Sequence, residues 1–134
     1  MIFNSPPKFS IEKVIKNALY EDLGQQGDIT SNSVIPPESK GNFFLVSRAE
    51  GVISGMYAAE LTFEIMDKSL EFESIIFDGS KVKKGDTIAE IRGNTQSILS
   101  GERTALNFLS HLSGIASSTK EMVQLISKTN VKIV

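Results

Sequence analysis

The chain has 134 residues, a formal net charge of −2, one histidine and no cysteine. That length fits one domain with a real core, while the composition excludes disulfides, thiolate metal sites, a cysteine nucleophile and an all-histidine metal site within one chain. A hydrophobic fraction of 40% and a charged fraction of 22% are ordinary for a soluble globular protein, and the mildly acidic balance gives no global basic footprint for nucleic acid.

No apolar run reaches the roughly 18 residues that a membrane helix requires. The N-terminus, "MIFNSPPKFS", lacks the charged-then-apolar pattern of a secretory signal. A cytoplasmic protein is therefore the expectation.

Ile11, Val14, Ile15, Ala18 and Leu19 fall at the i, i+3, i+4, i+7, i+8 spacing of a helix face. They predict an amphipathic helix over 10–22, with Ser10 as N-cap and Gly24 as its stop. Residues 23–41 read as one long connection rich in Gly, Pro, Ser and Asp. Within it the side chains of Asp28 and Thr30 are suited to bond neighbouring backbone and hold the loop in shape. A connection of that length points to a role in packing or assembly.

Phe43 to Val46 is a continuous apolar run, which predicts a strand buried on both faces. A turn at Glu50-Gly51 and a short second strand or lead-in follow. "MYAAELTFEIMD" predicts a helix of about three turns. Strands are expected near 69–77 and 86–92, joined through Asp78-Gly79 and Lys84-Gly85-Asp86, where glycine supplies positive φ without steric cost. Lys81, Lys83 and Lys84 form a small basic knot on a solvated edge.

Ile98, Leu99, Ala105, Leu106, Leu109 and Leu112 place a broad apolar surface on a helix over 95–113. Gly114 is read as a break before a second helix over about 116–128. The closing "TNVKIV" has strand character with no later partner, as at the start of something larger.

The 95–113 helix also carries a second, polar stripe. Arg103, Asn107, Ser110 and Gly114 fall at i, i+4, i+7 and i+11 and share one face, with His111 close by. Two readings stand. The stripe is the wet side of an amphipathic helix, or it faces a cleft and Arg103 clamps a planar anion, because guanidinium is a rigid fork of donors matched to carboxylate or phosphate. Glu102 then either steers Arg103 or belongs to the first turn, where negative charge suits the helix dipole.

"EDLGQQGDITS" at 21–31, "SRAEGVISG" at 47–55, "FDGSKVKKGDTIAEIRG" at 77–93 and "LSGERTALNFLSHLSGIAS" at 99–117 occur in that order. Together they resemble the amino-terminal region of the quinolinate phosphoribosyltransferases, the carboxylating nicotinate-nucleotide pyrophosphorylases. The resemblance implies an α+β fold: an open α/β sandwich, a small mostly antiparallel sheet packed with helices. In the family it is followed by an α/β barrel, and the chains pair head to tail so that the sandwich of one subunit caps the barrel mouth of the other. It divides this chain into a sandwich over 1–115 and, over 116–134, a helix and the first strand of a barrel.

The family transfers phosphoribose from phosphoribosyl pyrophosphate to the ring nitrogen of quinolinate, with loss of pyrophosphate and carbon dioxide, to make nicotinate mononucleotide for NAD synthesis. Magnesium accompanies the pyrophosphate substrate. The resemblance puts Arg103 at the arginine that binds quinolinate carboxylate in the partner subunit's site, and gives Glu102, Asn107 and His111 supporting roles. It makes His111 either a helix-packing or dimer-contact residue or an acid or base. It implies a homodimer or higher homo-oligomer, with no nucleic acid and no membrane.

The sequence also departs from the family. The strand matching "VKIV" continues there into a threonine-arginine-lysine-threonine motif, followed by the groups that bind phosphoribosyl pyrophosphate and magnesium. A (β/α) barrel takes about 250 residues, so this chain is expected to lack it, to bind no cofactor and not to catalyse the reaction alone. The surface that meets the barrel is expected to expose apolar area, with association or disorder after about residue 115. The stretch 77–93 also resembles the hairpins of lipoyl and biotinyl carriers. No carrier signature surrounds Lys83-Lys84, so shared strand geometry accounts for the likeness. A non-catalytic carrier-like or dimerisation module is the competing function.

Overall fold

A computed structural model describes residues 6–24, 27 and 29–134. Helix α1, Lys8–Leu23, is built on the predicted apolar spacing, and its buried Ile15 and Leu19 pack on Ala58 and Leu61. It starts earlier than expected. Pro7 is the N-cap and Ser10 lies inside the first turn, its N–H donating to the Pro7 carbonyl at 3.0 Å. Proline holds φ at −54° here, so the chain enters the helix without a hydroxyl cap. Gly24 ends α1 as predicted, at φ 64°, with its N–H on the Tyr20 carbonyl.

The connection after α1 is not structureless. It contains α2, Ile29–Val34. Asp28 and the side chain of Thr30, expected to brace this loop, lie outside the described residues.

Strands β1 (Lys40–Val46), β5 (Thr87–Asn94) and β3 (Glu71–Ser74) form an antiparallel sheet in the order β1-β5-β3. The register aligns Phe43, Ile91 and Phe72 across one face, and Phe44, Glu90 and Glu73 across the other. Only the first face is covered. Phe44 is 56% exposed and Val46 49%, so β1 is buried on one side, contrary to its sequence reading. The reason is that helices pack on one side of the sheet alone, where period-2 alternation sorts the residues. A second ribbon pairs β2 (Gly51–Val52) with β4 (Lys81–Val82), a pairing that the predicted 69–77 and 86–92 strands did not include.

Helix α3, Met56–Met66, has the predicted three turns. Its first N–H, of Met56, donates to Asp78 Oδ1 at 3.0 Å, so the turn expected at Asp78-Gly79 supplies the cap of a helix 22 residues upstream. At the other end Asp67 accepts from Ser69 N (2.9 Å), Ser69 Oγ (2.6 Å) and Ser97 Oγ (3.2 Å). These hydrogen bonds, Ser69's first, hold its carboxyl below the usual value of 3.8.

Helix α4 is continuous over Thr95–Ile126, 32 residues. Asn94 caps it by accepting from Ser97 N at 3.0 Å. The predicted break at Gly114 is absent. A helical glycine costs only about 1 kcal/mol relative to alanine, and two serines flanking it fasten the helix to the chain around β2. Ser117 Oγ accepts from Val52 N (2.9 Å) and Ser113 Oγ from Ser54 N (3.0 Å). Beyond Ser117 the helix continues to Ile126, but Met122 and Leu125 are exposed, Leu125 by 83%. Residues 131–134 form no strand among the described residues, because no neighbouring strand offers them a ladder.

The core lies between the sheet, α3 and α4, with Phe63 stacked on Phe72 at 6.0 Å. This is the α+β sandwich expected, and no barrel is present among the described residues.

Two consequences are testable. A Cβ at Gly55 would sit 2.8 Å from Leu112 Cδ1 at φ 103°, whereas one at Gly114 meets nothing within 4 Å. Gly55→Ala should lower the unfolding free energy by about 2 kcal/mol and Gly114→Ala raise it by up to about 1 kcal/mol, read by urea denaturation. Asp67's depressed folded pKa contributes stability that is present above its unfolded value and lost as pH falls through the folded one. Asp67→Asn should thus be less stable than wild type at neutral pH, and the difference should vanish as acid titration passes below 3.8.

Candidate functional site

The burial pattern of α4 decides where Arg103 points. Ile98, Gly101, Ala105 and Leu109 are buried against α3 and the sheet. At 3.6 residues per turn that leaves position 103 on roughly the opposite side. Its side chain is 77% exposed.

Arg103 Nη1 donates to Asp22 Oδ1 at 3.2 Å. Asp22 is only 18% exposed and sits in the last turn of α1. A carboxylate there faces the negative end of the helix dipole, so a cation from α4 offsets an unfavourable placement. Among the described residues no other hydrogen bond engages the guanidinium, which leaves Nε and Nη2 uncommitted.

Beside this pair α1 and α4 enclose an open groove of about 820 Å³. Ala18, Glu21 and Asp22 line it from α1, and Thr104, Asn107, Phe108, Ser110 and His111 from α4. The polar stripe therefore does come together: Asn107, Ser110 and His111 share one groove, with Arg103 bonded to its wall. His111 is exposed there and makes no hydrogen bond among the described residues, so no helix-packing role within this chain is visible. Gly114 is exposed and lines a neighbouring hollow with His111.

Glu102 goes elsewhere. It lines a separate cleft of about 960 Å³ between α4 and β1, with Phe43 and Leu106. It neither pairs with Arg103 nor lies in the first turn of α4, which holds no acidic residue. Successive helical residues diverge by about 100°, so Glu102 does not pair with Arg103, and α4 begins at Thr95, which puts Glu102 beyond its first turn.

Arg92 is the instructive contrast. On the open face of the sheet it meets Glu90 at 2.5 Å, Glu73 at 3.2 Å and Glu71 at 3.9 Å. The Glu90 hydrogen bond, above all, raises its pKa further. Its Nε and Nη2 are both engaged by its own chain, whereas those of Arg103 have no partner among the described residues. Nothing in the sequence singled out Asp22, since the pairing spans 81 residues and depends on where α1 ends against α4. Among the described residues no group of three or more histidine, aspartate or glutamate side chains is arranged to hold a metal ion.

A family model described as "Quinolinate phosphoribosyl transferase, N-terminal domain" matches residues 28–113, which include Arg103, Asn107, Ser110 and His111. The chain belongs to this family. A quinolinate phosphoribosyltransferase (2b, mitochondrial) of Nicotiana tabacum is 39% identical over 116 residues, covering 87% of this chain and 33% of the relative. Among solved structures, NadC from Streptococcus pyogenes superposes with a TM-score of 0.91 at 32% identity, covering 97% of this chain and 46% of that one. The nicotinate-nucleotide pyrophosphorylase of Francisella tularensis gives a TM-score of 0.89 at 32% identity, covering 96% and 46%. The chain thus spans about a third of the length of the curated phosphoribosyltransferase it matches. No described helix is long and apolar enough to cross a membrane.

Because the Arg103–Asp22 pair is exposed on the arginine side, it adds little to folding. Arg103→Ala should change the unfolding free energy by less than about 1 kcal/mol in chemical denaturation.

Proposed function

We propose that this chain supplies the carboxylate-binding and subunit-pairing portion of a quinolinate phosphoribosyltransferase. The reading rests on one observation above all. Arg103 stands exposed on a long helix, inside the matched family region, with two of its nitrogens uncommitted among the described residues.

Quinolinate is a dianion, and a planar guanidinium takes a carboxylate through two parallel N–H bonds. Arg103 reaches from its own subunit into the site of a partner and fixes one carboxylate, which orients the ring nitrogen for attack on phosphoribosyl pyrophosphate. The products are nicotinate mononucleotide, pyrophosphate and carbon dioxide. Asn107 and His111 line the same polar surface and support the clamp, and Glu102 contributes from the adjoining cleft. The chain spans about a third of the length of its relative, and the groups that hold the pyrophosphate and its magnesium belong to the remainder of such an enzyme. Residues 1–115 act as the sandwich, and 116–134 lead into the barrel that completes the site. The exposed Met122 and Leu125 suit a helix that continues into such a neighbour.

The test is complementation. A full-length family enzyme whose own clamp arginine is replaced by alanine is mixed with this chain, and quinolinate-dependent pyrophosphate release is measured. Activity should return with the wild-type chain. Arg103→Ala should reduce kcat/KM by about a hundredfold or more, and Arg103→Lys, which keeps charge but loses the fork, should fall between. Equal rescue by the wild-type and Arg103→Ala chains would refute the clamp.

A further inference from the structure

We infer that Asp22 is the positioning residue of Arg103: it holds the guanidinium by one edge so that the other edge is presented, already oriented, to an incoming carboxylate. The inference rests on the reading of Arg103 as the clamp.

The geometry carries it. Asp22 is anchored, being largely buried in the last turn of α1, whereas Arg103 is a long side chain exposed to solvent. An unheld arginine gives up rotamer freedom when it is fixed. A partner that fixes it beforehand removes part of that loss from ligand binding. The contact is also one-sided. Nη1 meets Oδ1 at 3.2 Å, and among the described residues neither Nε nor Nη2 has a partner. The Nε–Nη2 edge is itself a fork of two parallel donors, so a second carboxylate can bind it without displacing Asp22. Arg92 provides the negative control within the same chain, since Glu90 engages both Nε and Nη2 and leaves that arginine no such edge.

Asp22 also restricts what the clamp accepts. Glu21 and Asp22 line the groove on the α1 side, so that flank repels anions. A carboxylate approaches Arg103 only from the open edge, which gives the bound ring one orientation rather than several.

The experiment has two independent arms. In the complementation assay, Asp22→Ala should raise the KM for quinolinate about three- to fivefold, in keeping with an exposed pair. The KM for phosphoribosyl pyrophosphate should not move and kcat should stay within about twofold. Asp22→Asn, which retains an acceptor oxygen at the same place, should recover part of the loss. A lowered quinolinate KM would make Asp22 a competitor of the substrate and overturn the proposal, as would an unchanged one. Equal changes in both KM values would overturn it too, by making the role purely structural.

The second arm uses the 134-residue chain alone. The Arg103 side-chain signals are assigned by their loss in Arg103→Ala, and NMR then measures rotation about its Nε–Cζ bond. Rotation should be slower in wild type than in Asp22→Ala. Equal rates would refute the proposal even where mixed subunits fail to assemble. If Arg103→Ala complements fully, the clamp reading itself fails. If Arg103→Ala abolishes activity while Asp22→Ala leaves every constant unchanged, the clamp stands and only the role of Asp22 falls.

Discussion

The close packing of α4 on α3 is the constraint on which the other features depend. Gly101 lies where a Cβ would be 3.0 Å from Met66 and 3.3 Å from the Phe63 ring. With Ala105 one turn on, it lets the two helices approach tightly over the sheet. That contact fixes the rotation of α4 about its axis. Once the Ile98–Gly101–Ala105–Leu109 face is inside, Arg103 can only be outside, Phe108 meets α1, and Ser113 and Ser117 meet the chain around β2. A functional guanidinium is thus aimed by apolar contacts on the far side of its own helix.

The same packing explains how charge is distributed. Arg92 projects from the uncovered face of the sheet, where β3 and β5 align three glutamates around it. Cross-strand register supplies those partners automatically, because residues opposite one another share a face. Arg103 projects from a helix, whose neighbours along the stripe are Asn107 and Ser110, neither of them ionised. Its single partner among the described residues comes from a different element. The difference between a cation ringed by carboxylates and one with a single such partner among the described residues therefore follows from the element that bears it.

Much of the architecture was legible in the sequence because it rests on local periodicity. The 3.6-residue spacing located α1, α3 and the first part of α4, and the glycine turns were placed correctly at Gly79 and Gly85, both of which have positive φ. The readings that failed are those in which a local signal was weighed without its neighbours. Gly114 looked like a break, but hydroxyl contacts on either side carry the helix through it. Phe43 to Val46 looked doubly buried, but hydrophobicity cannot say whether a second layer is present to cover Phe44 and Val46. The β2–β4 ribbon involves two residues on each side, too short for any periodicity to register.

The sequence alone determined the family, the helix that bears Arg103 and the stripe containing Asn107 and His111, because motif order and helical phase are properties of residues near one another in the chain. The tertiary structure decided that Glu102 faces a different cleft, that Asp22 meets Arg103 across 81 residues, and that one edge of the guanidinium remains uncommitted. The first depends on how α4 packs on the sheet and α3, the others on how α1 docks against α4, and both are set by burial between distant segments, which no local pattern encodes.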